Sequence, residues 1–150
     1  ARSFSLDTPV LLIWQPSGSK HTSEYIDHPD WKTNITRAGD AAVDRLAKKD
    51  WNASIWNELL QESQTFGRMS KMLEEPTRQS MLAAVQSTVN ELGLQARIRV
   101  RLCMLGTSCV VLPSKIDQAL TENELQQLSD HLKTHQLESL VTRIAPERNV

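Results

Sequence analysis

Arg97, Arg99 and Arg101 recur at every second position of Ala96-Arg97-Ile98-Arg99-Val100-Arg101-Leu102-Cys103-Met104. A guanidinium is planar, permanently charged and rich in N–H donors, so three on one surface suit carboxylates or phosphates. Side chains of a strand alternate between faces. The three arginines therefore take one side, and Ile98, Val100, Leu102 and Met104 the other. An acidic protein partner and nucleic acid both fit that chemistry. A sheet that reads RNA bases also offers aromatic stacking platforms, and none lies on this segment. The competing use of such a row is structural, with arginine stems covering apolar surface and their heads paired to acids of a neighbouring helix.

Cys103 and Cys109 stand six positions apart around Leu105-Gly106-Thr107. With Gly106 at the centre of a turn they face each other across a hairpin, where a disulfide has workable geometry. Such a bond implies an oxidising compartment and fixes the register of the hairpin. The alternative is two buried thiols that pack as small hydrophobes.

Other reactive side chains form no persuasive constellation. His131 and His135 lie one helical turn apart and could share a cation, with His21, His28, Asp27 and Asp30 as further ligands if the early loop folds over them. A catalytic zinc helix carries Glu beside its first His, whereas Leu132 occupies that place here. Gln15-Pro16-Ser17-Gly18-Ser19-Lys20-His21-Thr22 lacks the early Gly and the Gly-Lys-Ser/Thr ending of a phosphate loop, and reads as a turn. Neither cysteine opens a helix, and no Gly-x-Ser-x-Gly elbow occurs. The reading assigns no catalytic residue, no metal and no cofactor.

The elements that hold these residues follow from periodicity. Strands are expected near 8–15, 96–104 and 108–112, the last stopped by Pro113. Helices dominate from about Lys32 to Leu92. Asp50 is the expected N-cap of the second helix, and Phe66-Gly67 interrupts its pattern. The clearest helix runs from Pro76 to Leu92, with Gly93 past its end and Met81, Leu82, Val85, Val89 and Leu92 on one stripe. Thr121-Glu122-Asn123-Glu124 is a capping box that opens a helix with Leu125, Leu128 and Leu132 inward, ending near His135. Leu137 to Ala145 fits a helix through Leu137, Leu140, Val141 and Ile144, and a strand at 138–145 through Leu140, Thr142 and Ile144. Residues 16–31 read as a loop and 146–150 as a frayed tail.

With the strand option the order is strand, helices, strand, strand, helix, strand. That is the split βαβ order of ferredoxin-like domains, with the first helical crossover enlarged. The expected class is α+β, a small and mostly antiparallel sheet packed by several helices. With the helix option a three-stranded sheet remains, still α+β.

At 150 residues, the chain suits one domain. Seventeen basic and eighteen acidic residues leave a net charge of -1, which disfavours a globally basic nucleic-acid or membrane binder while allowing a local patch. No apolar run approaches the ~20 residues of a membrane-spanning helix. Trp31, Trp51 and Trp56 flank helix boundaries, where tryptophans staple helices to a core. The expectation is a non-enzymatic interaction, assembly or adaptor domain. It binds an acidic partner through the Arg97, Arg99 and Arg101 face or by strand addition at a sheet edge. The candidate disulfide and the start at Ala1 rather than Met favour an extracytoplasmic, periplasmic or secreted setting. The alternatives are a cytoplasmic nucleic-acid-binding module using the same arginines, and an enzyme with a site assembled from distant residues.

Overall fold

Four apolar segments pair into one antiparallel sheet, in the spatial order Ile98–Leu102, Ser108–Pro113, Thr8–Trp14, Glu138–Ile144. A computed structural model describes residues 4, 6–16, 29–103 and 107–144. Strands β1 (Thr8–Trp14), β2 (Ile98–Leu102), β3 (Ser108–Pro113) and β4 (Glu138–Ile144) are joined by two helical crossovers. The first holds α1 (Pro29–Ala47), α2 (Trp56–Met69) and α3 (Pro76–Glu91), and the second holds α4 (Glu122–Leu132). This is the split βαβ arrangement with an enlarged first crossover.

The ambiguous segment is a strand, β4. Its helical alternative ends at Gln136, whose φ of 60° is left-handed, and the chain then runs antiparallel to β1 from Glu138 opposite Trp14 to Ile144 opposite Thr8. Of the expected 16–31 loop, residues 17–28 lie outside the described residues, and Pro29, Asp30 and Trp31 already belong to α1. Proline at the first turn loses no helical bond. The expected turn at Leu105-Gly106 and the tail at 146–150 also lie outside the described residues.

One sheet face and the helices above it make the core. Leu11 and Ile13 of β1, Ile98 of β2, and Cys109 and Val111 of β3 meet Met81, Val85 and Val89 of α3 and Leu125, Leu128 and Leu132 of α4. Burying each such aliphatic side chain contributes roughly 1.5–3 kcal/mol. Helix α3 stops where the sequence places its stop. Gly93 has a φ of 71°, and Leu94 N–H closes onto the Val89 carbonyl at 3.0 Å. Helix α4 is opened by the full capping box. Glu124 N–H donates to Thr121 Oγ1 at 3.2 Å, and Thr121 N–H to Glu124 Oε1 at 3.1 Å.

Helices α1 and α2 lean on each other, clasped by Arg45 and Glu62 through bonds of 2.8 and 3.0 Å. Helix α2 begins differently from expectation. Asn52, not Asp50, caps a short 3-10 turn (Ala53–Ile55) that leads into it. Phe66-Gly67 does not interrupt α2 either, which runs through both, and the missing side chain of Gly67 leaves room for Leu73, 3.3 Å from where a Cβ would stand. Trp56 ties the start of α2 to the end of β3, its Nε1 donating to the Pro113 carbonyl at 2.8 Å. Trp51 closes the end of α1 by donating to the Leu46 carbonyl at 3.1 Å.

Candidate binding site at the edge of strand β2

Strand β2 lies at the end of the sheet, with one side of its backbone bonded to β3. Ser114 N–H donates to the Arg97 carbonyl at 2.8 Å, and Cys103 N–H to the Ser108 carbonyl at 2.9 Å. By the alternation of an antiparallel ladder, the peptide groups of Arg99 and Arg101 also point to β3. Those of Ile98, Val100 and Leu102 point away from the sheet. Side-chain faces follow the sequence pattern, with Ile98, Val100 and Leu102 packed on the core.

The three arginines do not act as one stripe. Arg97 precedes the strand, in a turn closed by its own N–H onto the Leu94 carbonyl, so its side chain escapes the strand alternation. It reaches α4, with Nη1 2.6 Å from Glu124 Oε2 and Nη2 3.2 Å from Oε1. Arg97 hydrogen bonding first, then the Thr121 N–H, hold the Glu124 carboxyl below its ordinary range.

Arg99 and Arg101 fold back over the strand edge. Arg99 Nη1 donates to the Ile98 carbonyl at 2.7 Å, and Arg101 Nη1 to the Val100 carbonyl at 2.9 Å, which are the outward-pointing acceptors. Arg101 also reaches α2, through Nε to the Leu60 carbonyl at 3.1 Å and to Ser63 Oγ at 2.9 Å, and through Nη2 to Gln64 Oε1 at 3.3 Å. Every one of these acceptors is neutral. Among the described residues neither arginine is bonded to a carboxylate, whereas Arg45, Arg97 and Arg143 each are. Burial, and then the adjacent Arg99 charge, lower the Arg101 pKa.

Beside this edge runs a groove of about 520 Å³ between β2, α2 and α3. Leu73, Leu82, Val100 and Leu102 form apolar wall, and Gln64 and Gln86 stand with Arg99 and Arg101 as its polar groups. The sequence reading missed the helical side of this groove. Ser63 and Gln64 carry no local signal, since polar residues on a helix face are the ordinary solvated pattern.

The expected Cys103–Cys109 disulfide is absent, and both thiols are free. Cys109 stands opposite Leu102, so Cys103 stands opposite Ser108 and takes the other face of the sheet. The register differs by one residue from a Gly106-centred turn, and a one-residue slip turns every side chain over. Burial pushes the Cys109 thiol up to about 12 and also raises Cys103.

His131 is exposed on α4 with Nδ1 2.8 Å from the Gln127 carbonyl, and His135 is exposed in the following turn. Asp30 sits in the first turn of α1, while His21, Asp27 and His28 lie outside the described residues.

Compared with protein-family models, curated proteins and solved structures, the chain matches none.

Proposed function

We propose that this chain is a non-enzymatic interaction domain that takes an acidic, extended segment of a protein partner into the groove beside β2. The observation that carries the reading is the pair Arg99 and Arg101, two adjacent positive charges held only by neutral acceptors at the rim of an apolar groove. A carboxylate is a stronger partner for a guanidinium than a peptide carbonyl is, and it relieves the repulsion between the two arginines. Carboxylates of the partner draw the arginines off the Ile98 and Val100 carbonyls. The freed edge then accepts backbone bonds from the incoming segment. The charge interaction and strand addition are thus one event, in which acidity unlocks the edge. Apolar side chains of the segment fill the space along Leu73, Leu82 and Val100.

The test is a titration of the isotope-labelled chain with a heptapeptide of alternating Glu and Val, followed by amide chemical shifts. Shifts are expected at Gln64, Gln86 and residues 98–102, with new exchange protection at Val100 and Leu102. Binding weakens with salt and is lost in Arg99→Ser, an exposed position that leaves the fold intact. Equal binding of the Lys-Val counterpart, or of a single-stranded oligonucleotide, overturns the reading, as does an acidic peptide that leaves these residues unmoved.

A further inference from the structure

The sheet has a second edge, β4, built in the opposite way. Gln15 N–H donates to the Thr107 carbonyl, which fixes the odd-numbered peptide groups of β1 toward β3 and the even-numbered ones toward β4. The β4 partners of those even residues are Glu138, Leu140, Thr142 and Ile144. The peptide groups of Ser139, Val141 and Arg143 therefore point away from the sheet, and no strand pairs with them among the described residues.

Edges of this length are normally guarded by charge, proline or a bulge. β2 is guarded by its arginines. β4 carries charges only near its ends, and both are engaged elsewhere. Glu138 accepts from Trp14 Nε1 at 3.0 Å, and Arg143 bonds Asp7 at 2.9 Å and Glu122 at 2.6 Å. Its centre, Leu140-Val141-Thr142, is uncharged. Leu140 is 55% exposed and lies directly across from Leu12, itself 36% exposed, so an apolar strip runs out to the edge.

We propose that β4 pairs antiparallel with β4 of a second copy of this chain, about a two-fold axis at Val141, to make a continuous eight-stranded sheet. Val141 is the midpoint of Glu138–Ile144, so this symmetric register pairs every residue of the strand. In it Val141 exchanges both backbone bonds with its equivalent, and Ser139 does so with Arg143 of the second copy. Leu140 stands opposite Thr142 and diagonal to the other Leu140, which joins the two apolar strips. Glu138 meets Ile144, so no like charges are opposed. The outward peptide groups are satisfied without stripping water from an unpaired charge. The pairing uses the edge opposite the β2 groove and is independent of the proposed function.

The test is sedimentation equilibrium of the full chain over a hundredfold range of concentration. A reversible rise from 17.0 kDa to twice that mass is expected. Leu140→Lys brings two cations together beside the axis and weakens association by roughly tenfold or more. Mixing Leu140→Lys with Leu140→Glu restores a heterodimer, which a merely misfolded variant cannot do. Amide exchange of Val141 in the unaltered chain slows as concentration rises. A mass of 17.0 kDa throughout, a dimer indifferent to Leu140→Lys, or Val141 exchange independent of concentration overturns the proposal. Slow Val141 exchange that is independent of concentration at constant monomer mass assigns the edge to a segment of the chain itself, and fast exchange leaves it to water.

Discussion

Arg101 Nε lies 3.1 Å from the Leu60 carbonyl, and this contact pins the edge strand β2 to helix α2 across a sequence separation of 41 residues. The same guanidinium covers the outward carbonyl of Val100. One side chain therefore docks a helix and guards an edge. Arg101→Met keeps the stem and removes the donors. It is expected to lower unfolding stability by about 1–2 kcal/mol, and to speed exchange of α2 amides ahead of the core. Urea denaturation and native-state exchange measure the two effects separately.

The free thiols, Cys109 buried and Cys103 half-buried, make stability fall on the alkaline side. Cys109 is raised from the ordinary thiol value of 9.0 to about 12, chiefly by burial. Between those values the unfolded chain has lost a proton that the folded chain keeps. The contribution is whole below the ordinary thiol pKa and declines as pH rises toward 12, by at most about 1.4 kcal/mol per pH unit. Cys109→Val removes that part of the alkaline slope in urea titrations at stepped pH. In the native state at mildly alkaline pH, Cys109 is expected to resist a thiol reagent that modifies it at once in urea.

Trp56 is a staple whose polar tip matters as much as its ring. Its Nε1 is bonded to the carbonyl of Pro113, a buried residue at the end of β3. Trp56→Phe retains most of the apolar body and leaves that acceptor without its indole donor, at a cost of about 1–3 kcal/mol. The equivalent change at Trp51 leaves the Leu46 carbonyl with a second donor, the Lys49 N–H at 3.1 Å. Its expected cost is smaller, and the comparison by thermal melts separates bond loss from lost ring area.

What the sequence made legible was whatever is decided locally. The alternation from Ile98 to Leu102, the Thr121–Glu124 capping box and the Gly93 stop each depend on neighbours within a few residues. Leu137 to Ala145 was ambiguous because its apolar positions satisfy both periods, and only pairing with β1, more than a hundred residues earlier, selects the strand. The cysteines show how little separates two readings, since shifting the register by one residue exchanges a facing pair for opposite faces. The arginines were visible by type and spacing. Their division of labour was not, because Glu124, Leu60, Ser63 and Gln64 reach them through the tertiary fold.

Glu124 serves two structures at once, the capping box of α4 and the ion pair with Arg97, and the two are separable by mutation. Gln at this position still accepts from the Thr121 N–H but loses the charge that Arg97 meets. Because the pair is partly exposed, Glu124→Gln is expected to cost about 0.5–1 kcal/mol at neutral pH. Glu124→Ala gives up the cap as well and costs roughly 1 kcal/mol more. The acid limb supplies the sign. The folded carboxyl titrates below its ordinary range, so its contribution is full above the unfolded carboxyl value and is lost as pH falls through the folded one. In Glu124→Gln that loss disappears, and the variant approaches the parent in stability at low pH. Urea midpoints from neutral pH down to the carboxylate range test this. A constant gap between parent and Gln variant at every pH would mean that Arg97 is held by the Ala119 carbonyl, its other acceptor at 3.3 Å, rather than by charge.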